Sequence, residues 1–126
     1  MTSPVGRGGW TKKFADAWRG VWYAVRSQKS FWVHVPVGLA VLILALVLRL
    51  PTASQAVLIL TIGVVLGAEA MNSAIEQIVR VLHPEHDDSI GIALDMAAGG
   101  VLLVSIGAAL VGLLVLGPPL FAMLVP

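Results

Sequence analysis

A chain of 126 residues has room for one domain. It is 58% hydrophobic and 12% charged, with a mean hydropathy of +0.93; a soluble domain carries about a quarter charged residues, so the composition indicates a membrane protein and excludes an ordinary soluble core. A net charge of +1 gives no global field for nucleic acid, and the lack of cysteine excludes disulfides and thiolate metal sites.

Residues 1–9, MTSPVGRGG, form a Gly/Pro/Ser-rich stretch that reads as a loose tail. Over residues 10–29, Trp10, Phe14, Trp18, Val21 and Val25 recur at helical spacing, with Lys12, Lys13, Asp16, Arg19 and Arg26 mostly off that stripe. An aromatic, basic amphipathic helix of this kind suits the membrane–water interface; the plainer alternative is a helix packed on its own protein. The charges also leave no apolar core ahead of a cleavage site, so no cleaved signal peptide is expected.

Residues 31–48 give the first membrane span, with His34 and Pro36 near its start and no formal charge. Arg49-Leu50-Pro51-Thr52 makes a turn. A second helix is expected over 53–82: Ala53 to Ala68 carry no charge, then Glu69, Glu76 and Arg80 interrupt an apolar pattern that continues to Leu82. Its last turns should leave the hydrocarbon, and Pro84 should stop it. His83 to Ser89 form a polar loop, and the third span is expected over 90–117, ended or kinked by Pro118-Pro119. Arg7, Lys12, Lys13, Arg19, Arg26 and Lys29 all precede the first span, which places the N-terminus in the cytoplasm and, after two crossings, the 83–89 loop there as well. The fold class is therefore an all-α membrane protein: a helical bundle of three transmembrane helices plus an N-terminal amphipathic surface helix.

A carboxylate within a membrane helix is costly and usually faces a protein interior or a water-filled site. Glu69, Asn72 and Glu76 stand at i, i+3 and i+7, on one helix face. That face lies toward the cytoplasmic end, near Asp95 and the loop carboxylates Glu85, Asp87 and Asp88, within reach of cations from the first helix. Hard oxygen ligands suit Mg²⁺, which binds through one or two carboxylates plus substrate phosphates. A separate carboxylate accepts a proton from an attacking hydroxyl, and cations stabilise a transferring phosphoryl group. Phosphoryl transfer to a lipid hydroxyl needs all three parts beside the bilayer.

Each residue also has a structural alternative. Glu69 and Glu76 can pair with Arg80, Arg26 or Arg19; Asn72 can join helices; Asp95 can favour a helix N-terminal turn. His34, His83 and His86 lack metal-ligand spacing. Gly63, Gly67, Gly99 and Gly100 read as close-packing positions. No P-loop or kinase Gly-rich loop is present, which excludes a soluble-kinase fold.

The string Glu69-Ala70-Met71-Asn72-Ser73-Ala74-Ile75-Glu76 resembles the E-x-x-N-[ST]-A-I-E signature of the small prokaryotic diacylglycerol kinase and undecaprenol kinase family. Pro84-Glu85 and Ala93-Leu94-Asp95-Met96-Ala97-Ala98-Gly99 continue the resemblance, the latter similar to A-K-D-x-A-A-G, and Phe14, Trp18 and Gly20 fit the family's first helix. The resemblance implies a homotrimer with active sites shared between subunits, in the bacterial cytoplasmic membrane. It implies transfer of the γ-phosphoryl group of MgATP to diacylglycerol or undecaprenol. Glu69 would be the general base, Glu76 and Gln28 the metal ligands, and Asn72, Glu76, Glu85, His86, Asp87 and Asp95 the nucleotide contacts. Trp18, Glu69 and Ala98 would meet the lipid.

Two departures stand out. The family's second metal-binding carboxylate is Gln28 here, whose amide oxygen ligates without charge. The lysine before the aspartate is Leu94, and a basic position two residues earlier is Ile92. Lys12, Lys13, Arg19 and Arg80 are the candidate cations to replace them. The Pro84-Glu85 loop and Ala97-Ala98-Gly99 lean toward the undecaprenol-type branch. A non-catalytic lipid- or nucleotide-binding protein on the same scaffold, and a small proton-coupled carrier, are the competing functions.

Overall fold

The computed structural model describes residues 9–126; the expected tail, apart from Gly9, lies outside them. Among the described residues there are four helices and no strand: α1 (Trp10–Ser27), α2 (Lys29–Val47), α3 (Thr52–Leu82) and α4 (Asp88–Leu124). The helices α2, α3 and α4 are each long and apolar enough to cross a membrane. The 31 residues of α3 extend roughly 46 Å at about 1.5 Å per residue, more than the ~30 Å of hydrocarbon.

The helix α1 touches α2 and α3 sparingly, and Ala24 is its sole buried residue. Trp10, Phe14 and Trp18 are all more than 70% exposed, so the aromatic stripe is not packed on its own chain and is left for an interface. A single extended residue, Gln28 (φ −100°, ψ 123°), separates α1 from α2. The expected 10–29 helix therefore ends two residues early and the next begins two residues before 31. Two bonds hold this joint. The Trp32 indole N–H donates to the Val25 carbonyl at 3.0 Å, and the Ser27 hydroxyl donates to the Tyr23 carbonyl at 2.7 Å.

The helix α2 runs through Pro36, which leaves the Trp32 carbonyl without its helical donor. It closes on Arg49, the one non-glycine residue with positive φ (54°) among those described. The Leu50 N–H reaches the Ala45 carbonyl and the Arg49 N–H the Leu46 carbonyl, both at 3.1 Å. This is the paired closure in which a left-handed residue satisfies the last helical carbonyls.

The packed centre is small. Ala45, Leu58 and Leu116 are buried, with Val41, Leu44, Leu48, Leu50, Val111, Val115 and Leu120 against them. Leu116 and Leu120 flank Pro118-Pro119, and here the structure corrects an expectation: α4 continues past the proline pair to Leu124 instead of ending near 117. The prolines remove two backbone donors. Unwinding in apolar surroundings would leave every following N–H unsatisfied, a larger cost, and the contacts of Leu116 and Leu120 keep the segment in line.

The glycine expectation is also corrected within the chain. A Cβ at Gly63, Gly67, Gly99 or Gly100 would meet nothing within 4 Å, whereas one at Gly38 would lie 3.1 Å from the Ile62 side chain. The close approach is thus between α2 and α3 at Gly38.

Candidate active site

The polar face of α3 meets the α1–α2 joint in an open chamber of about 600 Å³. Its wall includes Tyr23, Gln28, Lys29, Glu69, Asn72, Glu76 and Arg80. The i, i+3, i+7 spacing supplies the α3 side. The extended backbone at Gln28 turns the chain so that α1 and α2 form the opposite side. Gln28 donates weakly to the Ser27 hydroxyl at 3.4 Å, a bond that engages only its amide nitrogen and leaves its carbonyl oxygen available.

Glu69 is 7% exposed and is the buried charged residue among those described. Its Oε1 lies 3.4 Å from His34 Nδ1, within ion-pair range but without the alignment of a hydrogen bond, for that nitrogen is buried and unpartnered. No Lys or Arg comes within 4.0 Å of Glu69 or Glu76 among the described residues, so the structural alternative of pairing with Arg80, Arg26 or Arg19 is not realised.

The Asn72 amide N–H donates to Glu76 Oε1 at 2.8 Å. This fixes the orientation of both side chains and leaves Asn72 Oδ1 buried with no partner. A free acceptor beside a carboxylate faces a cation or a donor; it cannot bond a phosphate oxygen directly. Glu76, Gln28 and Asn72 line the same chamber, and their side-chain oxygens are of the hard type that could hold Mg²⁺ together with phosphate. No cluster of three or more His, Asp or Glu side chains suited to a metal occurs among the described residues, and a metal that takes part of its shell from water and phosphate needs none.

The other candidates lie outside this chamber. Trp18, Glu85, His86, Asp87, Asp95 and Ala98 do not line it and are exposed. Asp87 is occupied as the N-cap of α4, accepting from the Ile90 N–H at 3.0 Å, and His86 Nε2 lies 2.9 Å from Asp88 Oδ1. Among the proposed phosphate cations, Arg19 lies 3.5 Å from Asp16 and Lys13 stands over the Trp10 ring, both on α1 itself. Neither they nor Lys12 line the chamber; Arg80 and Lys29 do. Lys29 was legible as the residue after Gln28, but only the break in the helix brings it inward.

A second, apolar cavity of about 280 Å³ lies between α2, α3 and α4, among Val37, Gly38, Leu58, Ile62, Val65 and Ala109. His34 lines it as well.

A bundle of three membrane-spanning helices with a carboxylate–amide chamber beside a surface helix defines an integral-membrane protein built for polar chemistry next to the bilayer. The prokaryotic diacylglycerol kinase profile matches residues 15–116, and the chain belongs to that family. It is 40% identical over 113 residues to a diacylglycerol kinase of Synechocystis sp., covering 89% of this chain and 65% of the relative. It is 32% identical over 109 residues to an undecaprenol kinase of Bacillus subtilis, covering 86% of this chain and 89% of that one. The chain thus spans just under two thirds of the Synechocystis relative's length.

Proposed function

We propose that the chain is a lipid kinase that transfers the γ-phosphoryl group of MgATP to the hydroxyl of a membrane lipid alcohol, diacylglycerol or undecaprenol, at the cytoplasmic face of a bacterial cytoplasmic membrane. The observation that carries this reading is the buried Glu69 carboxylate at the seam between the polar chamber and the apolar cavity, with His34 and Glu69 meeting there. A lipid alcohol needs such a seam: its hydrocarbon lies in the apolar cavity and its hydroxyl emerges beside a base. The basic residues ahead of the first span support the cytoplasmic orientation.

In this mechanism Glu69 accepts the hydroxyl proton as the alcohol oxygen bonds to the γ-phosphorus. The bond from that phosphorus to the β,γ-bridging oxygen breaks, and ADP leaves. Glu76, oriented by Asn72, would hold Mg²⁺ together with the Gln28 amide oxygen, with Asn72 beside them. The bound metal supplies charge neutralisation on the phosphates. Arg80 and Lys29 supply positive charge at the chamber wall, where the family's cation before Asp95 is replaced by Leu94.

The working form in this proposal is a homotrimer. Nothing from α4 or from the loop ahead of it lines the chamber, so Asp95, Glu85 and Ala98 reach a site only if a neighbouring copy completes it. The open surfaces at Gly63 and Gly67 offer room for close helix contact.

The test is the purified chain in lipid bilayers with MgATP and, separately, diacylglycerol and undecaprenol. Phosphorylation of one alcohol is the expected result and identifies the acceptor. Lack of transfer to both, with the assembled protein intact, would refute the kinase reading.

A further inference from the structure

We propose that His34 is a positioning residue for Glu69: its Nδ1–H holds one carboxylate oxygen so that the other faces the lipid hydroxyl. This rests on Glu69 being the base. Four observations converge on it. Glu69 is almost completely withdrawn from solvent, and a desolvated carboxylate requires a compensating donor. His34 Nδ1 lies 3.4 Å from its Oε1. That nitrogen is itself buried with no hydrogen-bond partner, so an unsatisfied ring nitrogen stands beside the carboxylate at a distance that lacks only the alignment of a hydrogen bond. Finally, His34 forms part of the apolar cavity wall, which puts the imidazole where a lipid alcohol passes from hydrocarbon to chamber.

The geometry fits a site that tightens on loading. Hydrogen bonds at a reaction centre are often long without substrate and shorten when it binds. A small rotation of either side chain closes the 3.4 Å gap. With Oε1 taken by His34, the proton from the alcohol goes to Oε2, and the imidazole keeps its own proton throughout. His34 acts through Glu69 and takes no part in bond making. The position is close to the start of α2, and the backbone there is held by the Trp32–Val25 brace, so the ring is presented by an anchored turn.

The experiment uses the full chain in bilayers with MgATP and the accepted alcohol. His34→Leu removes the donor at similar bulk, and His34→Asn returns an N–H near the Nδ1 position. His34→Leu is expected to lower kcat about tenfold, equal to roughly 1.4 kcal/mol, with KM for both substrates within about twofold. His34→Asn is expected to recover most of the loss. In a Glu69→Gln background, His34→Leu should cost nothing further, because the base it positions is gone. Unchanged kcat in His34→Leu, no recovery in His34→Asn, or a full tenfold loss in the double variant would each overturn the proposal.

A second readout does not depend on turnover. In ¹⁵N-histidine-labelled protein, the His34 ring, assigned with His34→Asn, should show a protonated Nδ1 whose proton shifts upfield in Glu69→Leu. An unprotonated Nδ1, or a shift indifferent to Glu69→Leu, would overturn it even if the parent chain phosphorylated no lipid. An inactive parent with the hydrogen-bond signature intact would instead refute the kinase reading alone.

Discussion

Replacing Glu69 by glutamine separates catalysis from stability. The side chain keeps its size, so the 7% exposed position stays filled and no cavity forms. The amide has no charge to desolvate; burying an isolated ion costs several kcal/mol, and among the described residues the group paired with Glu69 is an imidazole at 3.4 Å. Thermal stability should therefore hold or rise. Turnover should fall by roughly 10²–10⁴-fold, the usual contribution of a positioned base, or about 3–5 kcal/mol of barrier. The assay is initial-rate phosphorylation of the lipid alcohol across a range of MgATP concentrations, with a thermal scan of the same preparation. KM for MgATP should change little, because the residues that hold magnesium in the proposal, Glu76, Asn72 and Gln28, are unchanged. A kcat within about threefold of the parent would remove Glu69 as the base. A loss of activity matched by a falling melting temperature would show instead that the carboxylate holds the fold.

Two further changes probe the rest of the site and its frame. Arg80→Gln should raise KM for MgATP about three- to tenfold with a smaller effect on kcat, since a charge-assisted contact is lost at an exposed, partly screened position; an unchanged KM would show that Arg80 does not meet the phosphates. Asp87→Ala removes the N-cap of α4 and should lower stability by about 1 kcal/mol in a denaturant titration of the purified protein, and equal midpoints would show that the cap contributes nothing.

Much of the architecture is written in hydropathy and proline placement. The charge-free run from Ala53 to Ala68 and the proline at position 84 bound α3, and its observed range, Thr52–Leu82, starts one residue before the expected 53. Glu69, Asn72 and Glu76 were legible for the same reason, because periodicity puts them on one face. The missing parts depend on tertiary contacts. Pro118-Pro119 is a local stop signal overridden by the packing of Leu116 and Leu120 and by the cost of unwinding in apolar surroundings. The break at Gln28 has no glycine or proline to mark it. Without that break, Lys29 reads as the end of a surface helix instead of part of the chamber wall. His34 read as a histidine without a metal partner; its relation to Glu69 links residues 35 apart in sequence, a contact no spacing rule reveals. Gly38 was likewise indistinguishable from the other glycines until Ile62 was placed against it.

The extended Gln28 has one more consequence. The same pair of backbone angles sets both the direction in which α1 leaves the bundle and the way Gln28 joins the chamber wall. An amphipathic helix and a residue of the chamber wall therefore share one pivot. A tilt of α1 acts on the chamber wall at Gln28, and the Trp32–Val25 bond braces the joint against it. In this protein the tilt of the first helix and the shape of the chamber wall meet at one residue.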